Sequence, residues 1–273
     1  MIAVMLWIAL AAILFAGCAP ASDNYTKSST AQGACIAVPR QQASPTTGFC
    51  PPAILIFSKT AEFRHDSIPA AQAALRQLAG EHGWRADFTE DSAEFTYERL
   101  ARYDAVIFLL TTGDILDATQ QAAFERYIRT GGGFVGVHSA SDTEYSWAWY
   151  DGLVGAHNNQ KNKHSGVVTA TLRVIDHANP STAALPDRWI RTDEWYNFAT
   201  NPRPQVHVLM TVDESTYAGG TMGADHPIAW CHEYEGGRAW YTALGHTIES
   251  YHEPLFLSHL WGGVEYAAHR EAQ

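Results

Sequence analysis

The sequence predicts an α/β fold built on a doubly wound parallel sheet, with additional β-hairpins in its carboxyl-terminal half. Three observations carry that prediction. From Ala53 to His138, short apolar runs alternate with helical patterns across short turns, as in chained strand–helix–strand units. The runs themselves are apolar throughout, the pattern of strands buried on both faces. From Val167 onward the pattern changes to period-two alternation, and Glu235-Gly236-Gly237-Arg238 divides its last two stretches as a hairpin turn would.

Taken in order, Ala53–Ser58 follows Pro51-Pro52 and is the first strand. A helix over Ile68–His82 spaces Ala71, Ala74, Leu75 and Leu78 on one face and stops at Gly83; Pro69 fits its first turn, and Asp66 and Ser67 can cap it. A second strand lies near Arg85–Thr89 and a short helix around Tyr97–Ala101. Ala105–Leu110 is a third strand, turning at Thr111-Thr112-Gly113-Asp114, and the helix Ala118–Thr130 directs Phe124, Tyr127 and Ile128 inward.

Gly131–Asp142 is the most informative stretch: a glycine triplet, a short apolar strand, then a polar turn. Gly136 and Ala140 stand two positions either side of His138, the spacing of a sharp strand-to-helix elbow that holds one side chain above the sheet. Crossovers in such sheets are right-handed, so the turns after the strands share one edge. His65, Thr112-Gly113 and His138–Asp142 are therefore expected on a common rim, where open α/β folds place their ligands.

In the second half, Val167–Val174, Trp189–Phe198, Val206–Val212, Ile228–Tyr234 and Ala239–Leu244 read as strands. The connecting segments carry His157, His164, Asp193, Glu194, Asp213, Glu214, Asp225 and His226. A closing helix over Pro254–His269 packs Leu257, Leu260, Trp261 and Val264 inward.

The chain has 273 residues with a formal net charge of -11, from 29 acidic and 18 basic residues. That balance argues against nucleic acid or an anionic membrane surface as partner, because nothing would neutralise phosphates. Met1–Ser22 carries no charge, and Ile2–Ala16 is almost wholly apolar, short for a spanning helix and suited to a signal-peptide core. Phe15-Ala16-Gly17-Cys18 follows and resembles a bacterial lipobox, with Cys18 as the lipidated residue. Residues 1–18 are thus read as a leader and 19–52 as a flexible tether. The expected product is exported, periplasmic or anchored to the outer membrane, touching membrane only through its lipid. Cys35 and Cys50 can close a disulfide or stay as two thiols, while Cys231 reads as a buried apolar filler.

Thirteen histidines is a high count, and several fall at strand ends. His138, Glu194 and His246 are the first choices for catalysis. Imidazoles with a carboxylate suit a divalent metal, zinc foremost, whose bound water would have a lowered pKa. Without a metal the same trio supplies a base, an acid and an orienting carboxylate. A purely structural role, in which His138 only caps its strand, stays open. No HExxH motif exists, so position and not spacing supports the metal. Asp193 and Glu194 are adjacent, point to opposite strand faces, and cannot act together as a glycosidase pair; Asp142, Glu144 or Glu249 would have to be the partner. Ser139, one place beyond the elbow position, is a weaker nucleophile candidate.

Five ordered motifs carry a family resemblance: Phe63-Arg64-His65-Asp66-Ser67-Ile68, Gly132–Ala140, Thr192-Asp193-Glu194-Trp195-Tyr196, His226-Pro227-Ile228-Ala229-Trp230 and Tyr241-Thr242-Ala243-Leu244-Gly245-His246. Together they resemble the ThuA-like (trehalose utilisation) family over a domain spanning 53–270. The resemblance implies a flavodoxin-like sheet similar to the class I glutamine amidotransferases. There a Cys occupies the elbow and a later His completes the dyad; here His138 replaces the Cys, which argues against glutamine hydrolysis, and His246 falls in the later turn. It also implies sugar utilisation. Taken with the trio of His138, Glu194 and His246, the expectation is a metal-assisted hydrolase or lyase of a small carbohydrate or oxidised sugar, with no nucleotide cofactor. Substrate contacts are expected from His65, Asp66, Asp142, Trp195, Tyr196 and His232. The competing expectations are a non-catalytic sugar-binding module and an envelope scaffold.

Overall fold

Nine strands, β1 (Ala53–Phe57), β2 (Arg85–Thr89), β3 (Ala105–Leu109), β4 (Gly133–Val137), β5 (His164–Val174), β6 (Arg188–Tyr196), β7 (His207–Asp213), β8 (Pro227–Tyr234) and β9 (Gly237–Thr242), form one sheet in the order β2-β1-β3-β4-β9-β8-β7-β5-β6. The computed structural model describes residues 51–269. The leader, Cys18, Cys35, Cys50 and the tether through residue 50 lie outside the described residues.

Pairing is parallel from β2 to β9 and antiparallel from β9 to β6, so the fold is a mixed α/β sheet. Every residue of β1, β3 and β4 is buried, as expected of strands covered on both faces. On one face Phe57, Phe95, Phe108, Phe124, Phe134 and Tyr150 form a continuous aromatic layer beneath α3 (Ala118–Arg129, after α1 Ile68–Glu81 and α2 Tyr97–Leu100) and α4 (Ala148–Val154). On the other, Trp240 of β9 packs against α5 (Pro254–Ala267), its ring 4.8 Å from His259.

Two local expectations are corrected. Ser67 is the N-cap of α1 but makes no capping hydrogen bond; its hydroxyl is buried without a partner, and Asp66 faces solvent. The start of α1 instead draws on Pro in its first turn. Cys231, buried in β8, is disulfide-bonded and is not a free apolar filler.

Candidate functional site

The site begins with the elbow. His138 follows β4 with φ 53°, a left-handed conformation that costs a non-glycine residue energy and is held only where the surroundings enforce it. Tyr241 on the neighbouring strand enforces it: its hydroxyl donates to the His138 carbonyl at 2.7 Å and lies 2.9 Å from the Ser141 hydroxyl. Gly136 leaves room for that ring, since a Cβ there would sit 2.9 Å from Tyr241 Cδ2.

His138 Nδ1 lies 2.7 Å from the Ala243 carbonyl. A carbonyl only accepts, so Nδ1 carries a proton and donates it there, and Nε2 is the nitrogen that faces the site. That Nε2 is 3.4 Å from Glu194 Oε2 and 3.2 Å from His246 Nδ1. His246 Nδ1 is itself 3.2 Å from Glu194 Oε2. His65, from the loop after β1, closes the group with its ring edge-on to His138 and His246, at centroid separations of 4.9 and 5.1 Å. One ligand-capable atom from each of His65, His138, Glu194 and His246 lies within 4.8 Å of all the others.

How Glu194 arrives there is a matter of sheet shape. β6 is the edge strand, four places from β9 in the sheet order. Its Asp193 nevertheless accepts from the backbone N–H of Gly245 at 2.8 Å and of His246 at 3.1 Å. The antiparallel extension therefore twists back over the strand ends. Asp193 clamps the turn that presents His246, and Arg191 sits 3.2 Å from Asp193 in the buried interior. The two adjacent acids divide the work: Asp193 shapes the backbone, and Glu194 faces the histidines.

Electrostatics separates the four groups. Burial alone would raise the Glu194 pKa, but hydrogen bonds and charge from His138 and His246 hold it far below the usual carboxylate range. Burial would lower the His246 pKa, yet the Glu194 carboxylate raises it above the ordinary imidazole value. His65 is pushed down to about 2, mainly by burial and then by His138 and His246, so its ring is neutral and its buried Nδ1 has no hydrogen-bond partner. An anionic carboxylate, the inward nitrogens of His138 and His246 and an unpartnered nitrogen of His65 converge on one small volume. A carboxylate so buried calls for positive charge beside it, from a protonated imidazole or a metal cation. The cluster could hold a metal ion, and its donor chemistry fits one.

The expected site residues are partly assembled. His65, His138, Glu194 and His246 meet. Tyr196 lies beside them, its ring 4.3 Å from that of His138. Asp142 is at the elbow but outside the cluster, bound by Lys163 at 3.1 Å, Gln160 at 3.2 Å and the Tyr145 hydroxyl. The other three expected contacts are not among the four converging residues. Asp66 is exposed beyond the cluster. Trp195 points away from Glu194, as strand alternation demands, and its indole donates to the Val168 carbonyl at 2.9 Å. His232 is tied to the Leu153 carbonyl at 2.9 Å. Glu144, considered as a second acid, is a structural staple: it accepts from the backbone N–H of Ile115 and Leu116 at 2.8 and 2.7 Å.

Two further residues stand at the cluster. His164 Nδ1 lies 2.9 Å from Glu194 Oε1. Phe63 is 63% exposed with its ring edge-on to His65 at 4.8 Å, and an aromatic two residues before His65 is the sequence signal for it. No comparable signal marked His164, whose position depends on strand register.

The model of the trehalose-utilisation family ThuA matches residues 53–267. The chain belongs to the ThuA family. Two ThuA-like proteins of known structure share its fold. One from Bacteroides uniformis is 22% identical with a TM-score of 0.67, covering 82% of this chain and 95% of its own. One from Parabacteroides merdae is 18% identical with a TM-score of 0.64, covering 82% and 92%. A beta-galactosidase from Bacillus circulans sp. alkalophilus superimposes at a TM-score of 0.52 and 12% identity, over 79% of this chain and 30% of the enzyme. No curated protein matches the chain. In this ThuA protein the family motifs fall on the cluster: His65, His138, Glu194 and His246 each come from a different one of the five.

Proposed function

We propose that this ThuA protein is a metal-assisted hydrolase or lyase acting on a small carbohydrate or oxidised sugar. The observation that carries the proposal is the four-residue donor cluster, in which one ligand-capable atom of each residue lies within 4.8 Å of all the others. His65, His138, His246 and Glu194 would hold the cation, with zinc favoured by three imidazoles and one carboxylate. When bound, such a cation supplies Lewis acidity and lowers the pKa of water.

The remaining chemistry belongs to the chain. The Ala243 carbonyl keeps His138 in the tautomer whose Nε2 faces the site. Asp193 holds the Gly245-His246 turn, so His246 Nδ1 is presented beside Glu194 and His138 by a fixed backbone. Tyr196 walls one side of the cluster against water. Phe63 presents an open aromatic face at the mouth, suited to the apolar face of a sugar ring. Asp142, polarised by Lys163, offers a carboxylate for sugar hydroxyls.

Export and lipidation at Cys18 belong to the same proposal, supported by the uncharged apolar run at 2–16 and the sequence Phe15-Ala16-Gly17-Cys18. Radiolabelled palmitate incorporation that is lost on Cys18→Ser checks that part.

Elemental analysis of the purified full chain, beside a His138→Ala/His246→Ala double variant, tests the site. Stoichiometric zinc or another transition metal in the parent, absent from the folded variant, is the expected result and directs a turnover screen of disaccharides and keto-sugars. A parent that stays metal-free after reconstitution overturns the metal reading; sugar binding without turnover would then make the protein a binding module.

A further inference from the structure

The strongest feature outside the four-residue cluster is the approach of His164 to Glu194, and it depends on an irregularity in the sheet. Along most of the β5–β6 ladder the register is regular: Val167 faces Glu194, Val168 faces Asp193, Thr169 faces Thr192. Continued for two residues, that register would set Ser165 opposite Tyr196 and turn His164 to the other face of the sheet. Instead His164 faces Tyr196, so β5 carries one extra residue between His164 and Val167. This is a β-bulge, and its effect is to transfer His164 to the face that Glu194 and Tyr196 share. Gly166 within it has φ 78°, and nothing lies within 4 Å of where its Cβ would be. Backbone conformation, and not crowding, therefore calls for glycine there.

The bulge delivers a specific contact. His164 Nδ1 is 2.9 Å from Glu194 Oε1, while Glu194 Oε2 faces His138 and His246. A carboxylate accepts only, so His164 Nδ1–H donates. The terminal torsion of a glutamate is broad and has no sharp rotamer of its own. A carboxylate bonded on one oxygen alone could swing either oxygen inward. With Oε1 engaged by the partly exposed His164, Oε2 is the oxygen turned to His138 and His246. His164 itself is 40% exposed and is not among the four converging donors.

We infer that His164 is a positioning residue: the bulge at Ser165-Gly166 aims its imidazole at Glu194 Oε1 and thereby fixes Glu194 as a single-oxygen ligand through Oε2. The inference rests on the metal reading of the site, and its test separates the two. The zinc dissociation constant of the full chain is measured by competition with a chromophoric chelator, alongside thermal unfolding of the metal-free protein. The variants are His164→Ala, His164→Asn and Gly166→Val. Outer partners of metal ligands contribute roughly 10- to 100-fold in affinity, so His164→Ala is expected to weaken zinc by about that factor. Its metal-free melting temperature should move little, because His164 is itself 40% exposed and Glu194 keeps its contacts with His138 and His246. His164→Asn, whose amide can donate from near the position of Nδ1, should recover affinity to within a few-fold of the parent. Gly166→Val keeps every donor but strains the bulge, and should weaken zinc in the same direction as His164→Ala. Parental affinity in His164→Ala overturns the inference, as does a loss that merely tracks the metal-free melting temperature. A folded parent that binds no zinc overturns the site reading itself, and the role of His164 with it.

Discussion

The histidines at the strand ends and those packed within the body of the protein are buried to a similar degree, and they behave as opposites. His259 on α5 is fully enclosed, with Nδ1 2.9 Å from the Ser181 carbonyl and Nε2 3.1 Å from the Thr242 hydroxyl. His226 is held between the Tyr196 carbonyl and Glu214, each at 2.8 Å. In both, every ring nitrogen meets a complementary group. At the strand ends His138 has one nitrogen so matched and the other shared between a second imidazole at 3.2 Å and a carboxylate at 3.4 Å, and His65 Nδ1 meets nothing. Burial of a histidine therefore says little about its role. What its nitrogens face separates an anchor from a ligand.

The sharpest way to break this contrast is to change one member of each class. Glu194→Gln removes the charge toward which the cluster is arranged, and zinc affinity should fall roughly 100-fold, or about 3 kcal/mol, with little change in folding. His259→Leu should do the reverse. It leaves the Ser181 carbonyl and the Thr242 hydroxyl without their partner at a cost of about 2 kcal/mol, which lowers the melting temperature by about 4–8 °C in a domain of this size. Zinc affinity should stay parental. Equal losses of affinity in the two variants would show that the cluster reports general packing.

A pH titration sharpens the comparison from the anchor side. Burial, with Arg191 adding to it, lowers the His259 pKa from 6.5 to about 4 against the raising effect of the Ser181 carbonyl. The folded protein thus binds fewer protons at this ring than the unfolded chain does. The contribution of the neutral ring is intact above pH 6.5, declines as pH falls, and is gone by about pH 4. A shift of that size corresponds to about 3 kcal/mol across the window as an upper bound. His259→Asn, which does not titrate, should unfold in urea with a shallower loss of stability between pH 6.5 and 4. Parallel slopes for parent and variant would refute the assignment.

The amino-terminal half of this architecture was open to sequence reasoning because its signals are local. Pro51-Pro52, Gly83 and the triplet at Gly131 punctuate apolar runs that match β1, β3 and β4 almost residue for residue. The rim joining His65 to His138 followed from the handedness of the crossovers alone. The sequence singles out Glu194 and the structure places it beside His138, but the reason it reaches there is not legible in the sequence, since it requires the edge strand β6 to curl back across the sheet ends. His164 needed something finer still, one inserted residue in the β5–β6 ladder, which hydrophobic alternation cannot register because a bulge is invisible until its partner strand is known. Trp195 shows the converse. It shares a motif with Glu194, but alternation along the strand sends it to the opposite face.

The smallest expected effect concerns the mouth of the site. Phe63 is the most exposed aromatic beside the cluster, and its loop is fixed: the Thr112 hydroxyl donates to the Phe63 carbonyl at 2.9 Å, and Ala61 N–H donates to the Thr112 carbonyl at 2.8 Å. A ring held in place while facing solvent gains little for folding by being aromatic, so Phe63→Ala should leave both the melting temperature and zinc content unchanged. If it forms the platform for a sugar ring, the variant should bind trehalose about five-fold more weakly by titration calorimetry, in keeping with roughly 1 kcal/mol for one lost aromatic contact. Phe63→Tyr, which preserves the face of the ring, should bind as the parent does. Identical trehalose affinity in parent and Phe63→Ala would move the sugar away from this edge and toward Asp142 and Lys163, where Asp142→Asn and Lys163→Met would become the variants that decide.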